Sequence, residues 1–121
     1  MSEPTIWGQM YTHLKTSGFD VYSPGQHKGQ CTSPYVVIKH AGASRLVGYS
    51  TDTHLYDVMC YVPVAEYSTL EPFVESVKES LKKLFPMIKP TGLQDPAFLD
   101  DSNQSFMSSV QYQNYRKVNY N

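Results

Sequence analysis

Few residues in this chain have the type and spacing that chemistry needs. Four histidines, His13, His27, His40 and His54, fall at intervals of thirteen or fourteen residues. A zinc helix sets two histidines four apart on one face, and zinc fingers and ribbons use closely spaced cysteine pairs. Neither spacing occurs, so no metal site is expected. His27 and Cys31 share one stretch and could form a nucleophile couple. Such a couple needs hydrogen-bond reach and an oxyanion hole, which closeness in sequence does not supply. A solvated loop is the plainer reading. Asp100 and Asp101 are adjacent, and adjacent side chains point apart, so turn formation explains them better than paired acid–base work. Gly25 and Gly29 flank no strand-to-helix turn that could cradle phosphate. Lys78, Lys82, Lys83 and Lys89 could touch phosphate, but they fit the solvated face and C-terminal end of a helix. The residues therefore argue for a non-enzyme without cofactor or metal.

The bulk properties agree with a folded, non-catalytic domain. The chain has 121 residues, 40% hydrophobic and 17% charged, with a formal net charge of -1. That supports one domain, residues 1–121, with a core of its own. Nothing in the charge asks for nucleic acid. Met1–Gly8 is polar and lacks the apolar core of a signal peptide, and no stretch is apolar enough to span a membrane. Cys31 and Cys60 then read as reduced thiols of a cytoplasmically made protein. The ten tyrosines are the compositional oddity. Tyrosine suits strands, and it suits subunit contacts because it carries apolar area with one wet end.

The elements follow from periodicity. Ser2-Glu3-Pro4 resembles a helix start, and Trp7, Met10, Tyr11 and Leu14 recur at helical spacing up to Gly18, which can close a helix. Phe19–Tyr22 is a short strand candidate, and Pro24–Pro34 a loop. Tyr35–His40 reads as a strand, Ala41–Ser44 as a turn, Leu46–Thr51 as a second strand, and His54–Val64 as a third. Within the third, Tyr56, Val58, Cys60 and Val62 form the better core face. Ser68-Thr69-Leu70-Glu71 has the pattern of a capping box. Leu70, Val74, Val77, Leu81 and Leu84 form the apolar stripe of a helix that Pro86 ends, and i,i+4 pairs such as Glu79 with Lys83 are allowed. Met87–Ile88 is a brief edge strand, Thr91–Asn103 a second long loop, and Ser105–Val118 a final strand. Asn119–Asn121 fray. The expected fold is α+β: an antiparallel four- to five-stranded sheet with two helices packed on one face. The other sheet face carries Asp57, Gln111 and Gln113 beside Met59, Tyr61 and Met107, a mixture compatible with a partner.

This order of elements resembles the tail terminator, or tail-completion, proteins of tailed bacteriophages. The residues that carry the resemblance are the N-terminal helix ending near Gly18, then Val21-Tyr22-Ser23-Pro24, a loop, and Pro34-Tyr35-Val36-Val37-Ile38. They continue with the strand through Asp57-Val58-Met59-Cys60-Tyr61-Val62, the helix Leu70–Phe85, and the closing strand Phe106–Arg116 with Tyr112 and Tyr115. The resemblance implies a ring, typically hexameric, that caps the tail tube and joins it to the head connector, without an active site. Implied partners are copies of the chain, the tail tube protein and the connector or stopper protein, with genomic DNA passing through the lumen. The implied location is the virion tail or neck, after synthesis in the host cytoplasm. Tyr22, His27, Lys28, Met59, Tyr61, Met107, Gln111 and Tyr115 are the candidate interface residues. A head-completion or neck adaptor and a non-enzymatic protein-binding module stand as alternatives.

Overall fold

The computed structural model describes residues 5–26, 29–45 and 51–117. The elements are α1 (Ile6–Thr16), β1 (Val21–Tyr22), β2 (Tyr35–Arg45), β3 (Thr51–Pro63), α2 (Leu70–Leu81), β4 (Lys89–Gln94), β5 (Phe98–Asp100) and β6 (Ser105–Lys117). The sheet runs β1-β2-β3-β6-β4, with β5 also on β6. It has six strands, one or two more than expected, and every pairing is antiparallel except β1 with β2.

Helix α1 begins where Thr5 accepts a hydrogen bond from the Gly8 amide at 2.9 Å. The expected start at Ser2-Glu3-Pro4 lies outside the described residues. The helix closes as read, with Gly18 at φ +98°, a left-handed conformation that costs glycine little. Met10 and Leu14 are fully buried. The Trp7 indole donates to the Ile38 carbonyl at 2.7 Å, which fastens the helix to β2.

Strands β2 and β3 correct the expected three-stranded meander. Ala41–Ser44 is not a turn but part of one strand carrying a bulge between His40 and Gly42. The extra residue is absorbed inside the ladder, so small residues there mark a kink rather than a reversal. Arg45 then pairs with Asp52, and the rest of the expected second strand, residues 46–50, lies outside the described residues. Strand β3 pairs with β6 without interruption, from Thr51 with Lys117 to Pro63 with Ser105. Tyr56, Val58, Cys60 and Val62 face the helices, as the alternation predicts.

Helix α2 carries the expected stripe: Leu70, Val74, Val77 and Leu81 are at most 3% exposed. Its capping box does not form. The chain arrives through a 3-10 turn, Val64–Thr69, so Thr69 sits at the N-cap with helical φ −91° and ψ −7°. An N-cap needs extended backbone to aim its oxygen at the free amides; here the Thr69 hydroxyl turns back and donates to the Glu66 carbonyl at 2.6 Å. The helical stretch also ends earlier than Phe85: α2 stops at Leu81 and one 3-10 turn, Lys82–Leu84, follows. The ion pair on this helix, among the described residues, joins Lys78 to Glu75 at 3.3 Å rather than Glu79 to Lys83.

Thr91–Asn103, expected as loop, contains most of β4 and all of β5. The two lie end to end along the same side of β6: Lys89 and Pro90 pair with Gln113 and Tyr112, Gln94 with Val110, and Phe98–Asp100 with Met107–Ser105. Asp95 pins the break between them. Its amide donates to the Ser109 carbonyl at 2.9 Å, its carbonyl accepts from Ser108 Oγ at 2.8 Å, and its carboxylate accepts from Ser109 Oγ at 2.8 Å. Asp100 then starts a turn by accepting from the Ser102 amide at 3.0 Å, the turn-forming role read from the sequence.

Both helices cover one face of the sheet, as expected. The core joins Met10 and Leu14 of α1 and the α2 stripe to Val36, Ile38, Tyr56, Val58, Cys60, Val62, Val110 and Tyr112. The helices are also tied to each other: the His13 ring meets the Ser80 carbonyl at 2.8 Å, and Ser80 Oγ donates to Ser17 Oγ at 3.0 Å.

Candidate assembly surfaces

Of the eight candidate interface residues, the fold brings five to the sheet face away from the helices, describes a sixth by its backbone pairing alone, and leaves the other two outside the described residues. Alternation on β2, β3 and β6 aims Tyr35, Val37, Met59, Tyr61, Met107 and Gln111 away from the helical core. Tyr22 on β1 meets Tyr35 edge-on at 5.6 Å. Tyr61 lies flat on Tyr35, with ring centroids 4.6 Å apart and planes 10° from parallel. The register continues this row across the sheet, from Tyr61 to Met107 on β6 and from Met107 to Phe98 on β5. Gln111 is further along β6, where its Oε1 accepts from Thr91 Oγ1 at 3.1 Å. Tyr115 pairs through its backbone with Thr53, and His27 and Lys28 lie outside the described residues.

This face is less open than alternation alone implies. Cys31, Tyr35 and Val37 form a second, small buried cluster, with Tyr22, Met59 and Tyr61 packed against it. The covering segment is the chain before β2: the Cys31 amide donates to the Asn103 carbonyl at 2.7 Å, and Asn103 Nδ2 donates to the Tyr35 hydroxyl at 2.6 Å. Cys31 and Asn103 escaped sequence reasoning because each sits in a stretch without periodicity. Burial raises the Cys31 thiol above its ordinary range, and burial first, then the charge of Asp100, raises the Tyr61 hydroxyl. A thiol so placed is a poor nucleophile. Cys31 and Cys60 are both free and belong to clusters on opposite faces of the sheet.

The more open apolar surface is the β4–β5 edge, which sequence reasoning missed because it read that stretch as loop. Leu93 is 63% exposed, Phe98 47% and Leu99 48%, and Phe85, just before β4, is 65% exposed. Among the described residues no strand lies outside β4 and β5. A groove of ≈ 640 Å³ runs between α2 and β4 beside this edge. Its floor is Leu81, Ile88 and Tyr112, Phe85 and Pro90 form one wall, and Glu75, Lys78, Glu79 and Lys82 stand along α2. Burial pushes the Tyr112 hydroxyl up to about 12. A second hollow of ≈ 270 Å³ lies between the start of α2 and the Asp95 break, with Tyr67 at its mouth. Tyr67 contacts Phe106 edge-on at 4.6 Å, and Phe106 is the register partner of Leu99, so exposed apolar groups continue around this end of the sheet.

Elsewhere the polar groups are dispersed. Lys78 is held by Glu75 and by Gln94, each at 3.3 Å. Among the described residues no three His, Cys, Asp or Glu side chains gather as metal ligands, and no helix is long and apolar enough to cross a membrane. His40 and His54, fourteen apart in sequence, come together across β2 and β3. The chain matches no family model and no curated protein.

Proposed function

We propose that this chain is a non-enzymatic structural subunit of a tailed-phage virion, forming a ring, hexameric in our reading, that caps the tail tube and joins it to the head connector. The observation that supports this reading best is the β4–β5 edge. Large apolar side chains, Leu93, Phe98 and Leu99, with Phe85 just before β4, stand exposed along a strand edge outside which no further strand lies among the described residues. A lone edge of this kind invites pairing with another chain, and proteins that do not use it blunt it with charge or cover it. Contact with a different patch of the next copy closes a ring by rotation. On this reading the partners are further copies, the tail tube protein and the connector or stopper protein. The protein is made in the host cytoplasm and ends in the tail or neck, with genomic DNA passing the lumen without sequence-specific contact. A head-completion or neck adaptor would use the same edge.

The groove of ≈ 640 Å³ beside α2 favours a second reading, a protein-binding module that stays monomeric. Light scattering over a concentration series, with negative-stain imaging, separates the two. Ring-shaped particles of fixed subunit number are expected, formed in solution or on purified tail tubes. A strict monomer that purified tubes fail to capture would overturn the ring.

A further inference from the structure

Strand pairing places two histidines within ligand-sharing distance on the face of the β2–β3 hairpin that also carries the core. His40 Nε2 and His54 Nδ1 lie 3.3 Å apart, with ring centroids at 5.5 Å. The buried Tyr56 ring meets His40 edge-on at 5.1 Å and limits its movement from one side. Both histidines are set by a paired ladder rather than a loop: His40 pairs with Tyr56 directly before the bulge, and His54 pairs with Ala43 one pair beyond it and with Asn114 on its other side. They are close because they form a diagonal pair: His40 stands opposite Tyr56, and His54 is two residues from Tyr56 along β3, on the same face.

We propose that His40 and His54 form a two-imidazole site for a late first-row divalent cation, with Cu(II) held more tightly than Zn(II). A cation at about 2.0–2.1 Å from each of two nitrogens separates them by about 2.8–3.0 Å at a right angle and about 3.3–3.4 Å at the tetrahedral angle, and the observed 3.3 Å falls at the tetrahedral end. The metal replaces the hydrogen now shared between the two rings; the donor ring's proton moves to its outward nitrogen, so the neutral pair releases none. Imidazole ligands suit copper, nickel and zinc, whereas magnesium and calcium require oxygen cages that these two side chains do not offer. The preference for copper follows the general affinity order of divalent metals. Asn114, opposite His54 on β6, turns its Nδ2 to the Met87 carbonyl. Water completes the coordination. The site is independent of the ring reading.

Equilibrium dialysis of the full chain against Zn(II) and Cu(II), repeated for His40→Gln, His54→Gln and the control His13→Gln, tests this. One equivalent of metal is expected per chain. Each of the first two variants should weaken binding at least about tenfold and the control should not, since one imidazole cannot chelate. Ring nitrogens of His40 and His54 should shift together in NMR on adding Zn(II). No binding to the unaltered chain at submillimolar metal, or binding that survives both substitutions, would overturn the site. Far-UV circular dichroism of each variant shows that any loss is not unfolding.

Discussion

Asn103 donates a hydrogen bond from Nδ2 to the hydroxyl of Tyr35, 68 positions earlier, at 2.6 Å, and so ties the turn before β6 to the buried ring at the start of β2. Tyr35 is 3% exposed and stacked on Tyr61. Removing only the hydroxyl, in Tyr35→Phe, should cost about 1 kcal/mol, the ordinary net value of one hydrogen bond. Removing the ring, in Tyr35→Ala, should cost about 3–5 kcal/mol, because it also leaves a cavity. Urea unfolding of both variants checks the ladder of effects; equal losses would mean that the ring contributes nothing beyond its hydroxyl.

Leu81 is the last residue of the α2 stripe and is 1% exposed. Leu81→Asp places a carboxylate against the sheet with no partner, at a cost of several kcal/mol (roughly 3 or more), enough to unfold a domain of marginal stability. The check is a thermal melt. An unchanged melting temperature would contradict the packing of α2 described above.

The β4–β5 edge predicts the opposite pattern. Leu93→Lys and Phe98→Lys change exposed side chains, so each should alter stability by no more than about 0.5 kcal/mol. If the edge is the contact between copies, each should abolish assembly or tube capture. Rings that form normally from the double variant would move the contact elsewhere.

Stability should fall in alkali, and the sign follows from burial. Cys60 is held up to about 12 from an ordinary 9.0, and Tyr112 up to about 12 from 10.0, both chiefly because burial disfavours their anions. The unfolded chain therefore loses these protons first. Between pH 9 and 12 it binds fewer protons than the folded protein, and stability declines as pH rises; below pH 9 both forms are neutral and neither group adds a slope. Cys60→Ala should flatten the decline measured by urea unfolding at successive pH values. An unaltered slope would remove Cys60 from the account.

The helices and strands β3 and β6 were legible because each has one strong period. The stripe Leu70, Val74, Val77, Leu81 and the alternation Tyr56, Val58, Cys60, Val62 leave no second way to bury the same groups. Strands β4 and β5 were not legible. Prolines such as Pro90 interrupt strands, yet an edge strand paired on one side tolerates one, and Asp95 supplies the break between β4 and β5 through serines of another strand. The capping box failed for a related reason: the pattern at Ser68 was present, but the chain enters α2 already turning. Alternation alone placed Met59 and Tyr61 together correctly, and Tyr22 joins them through the pairing of β1 with β2. Their burial was hidden because Cys31 and Asn103 cover that face from aperiodic segments. The His40–His54 pair was invisible because a diagonal neighbour is set by register, here His40 opposite Tyr56, and not by interval.

The β3–β6 ladder runs unbroken over thirteen pairs, roughly 3.4 Å per residue. The helix-facing core residues of these strands lie within 56–62 and 108–112. Beyond them β3 continues back to Thr51 and β6 on to Lys117, with β2 alongside as far as Arg45. Mechanically that is an overhang, a three-stranded ribbon that continues past the part the helices grip. A tilt where the helices grip it is enlarged along the length of the ribbon. Anything that holds the tip is therefore coupled to the orientation of the body.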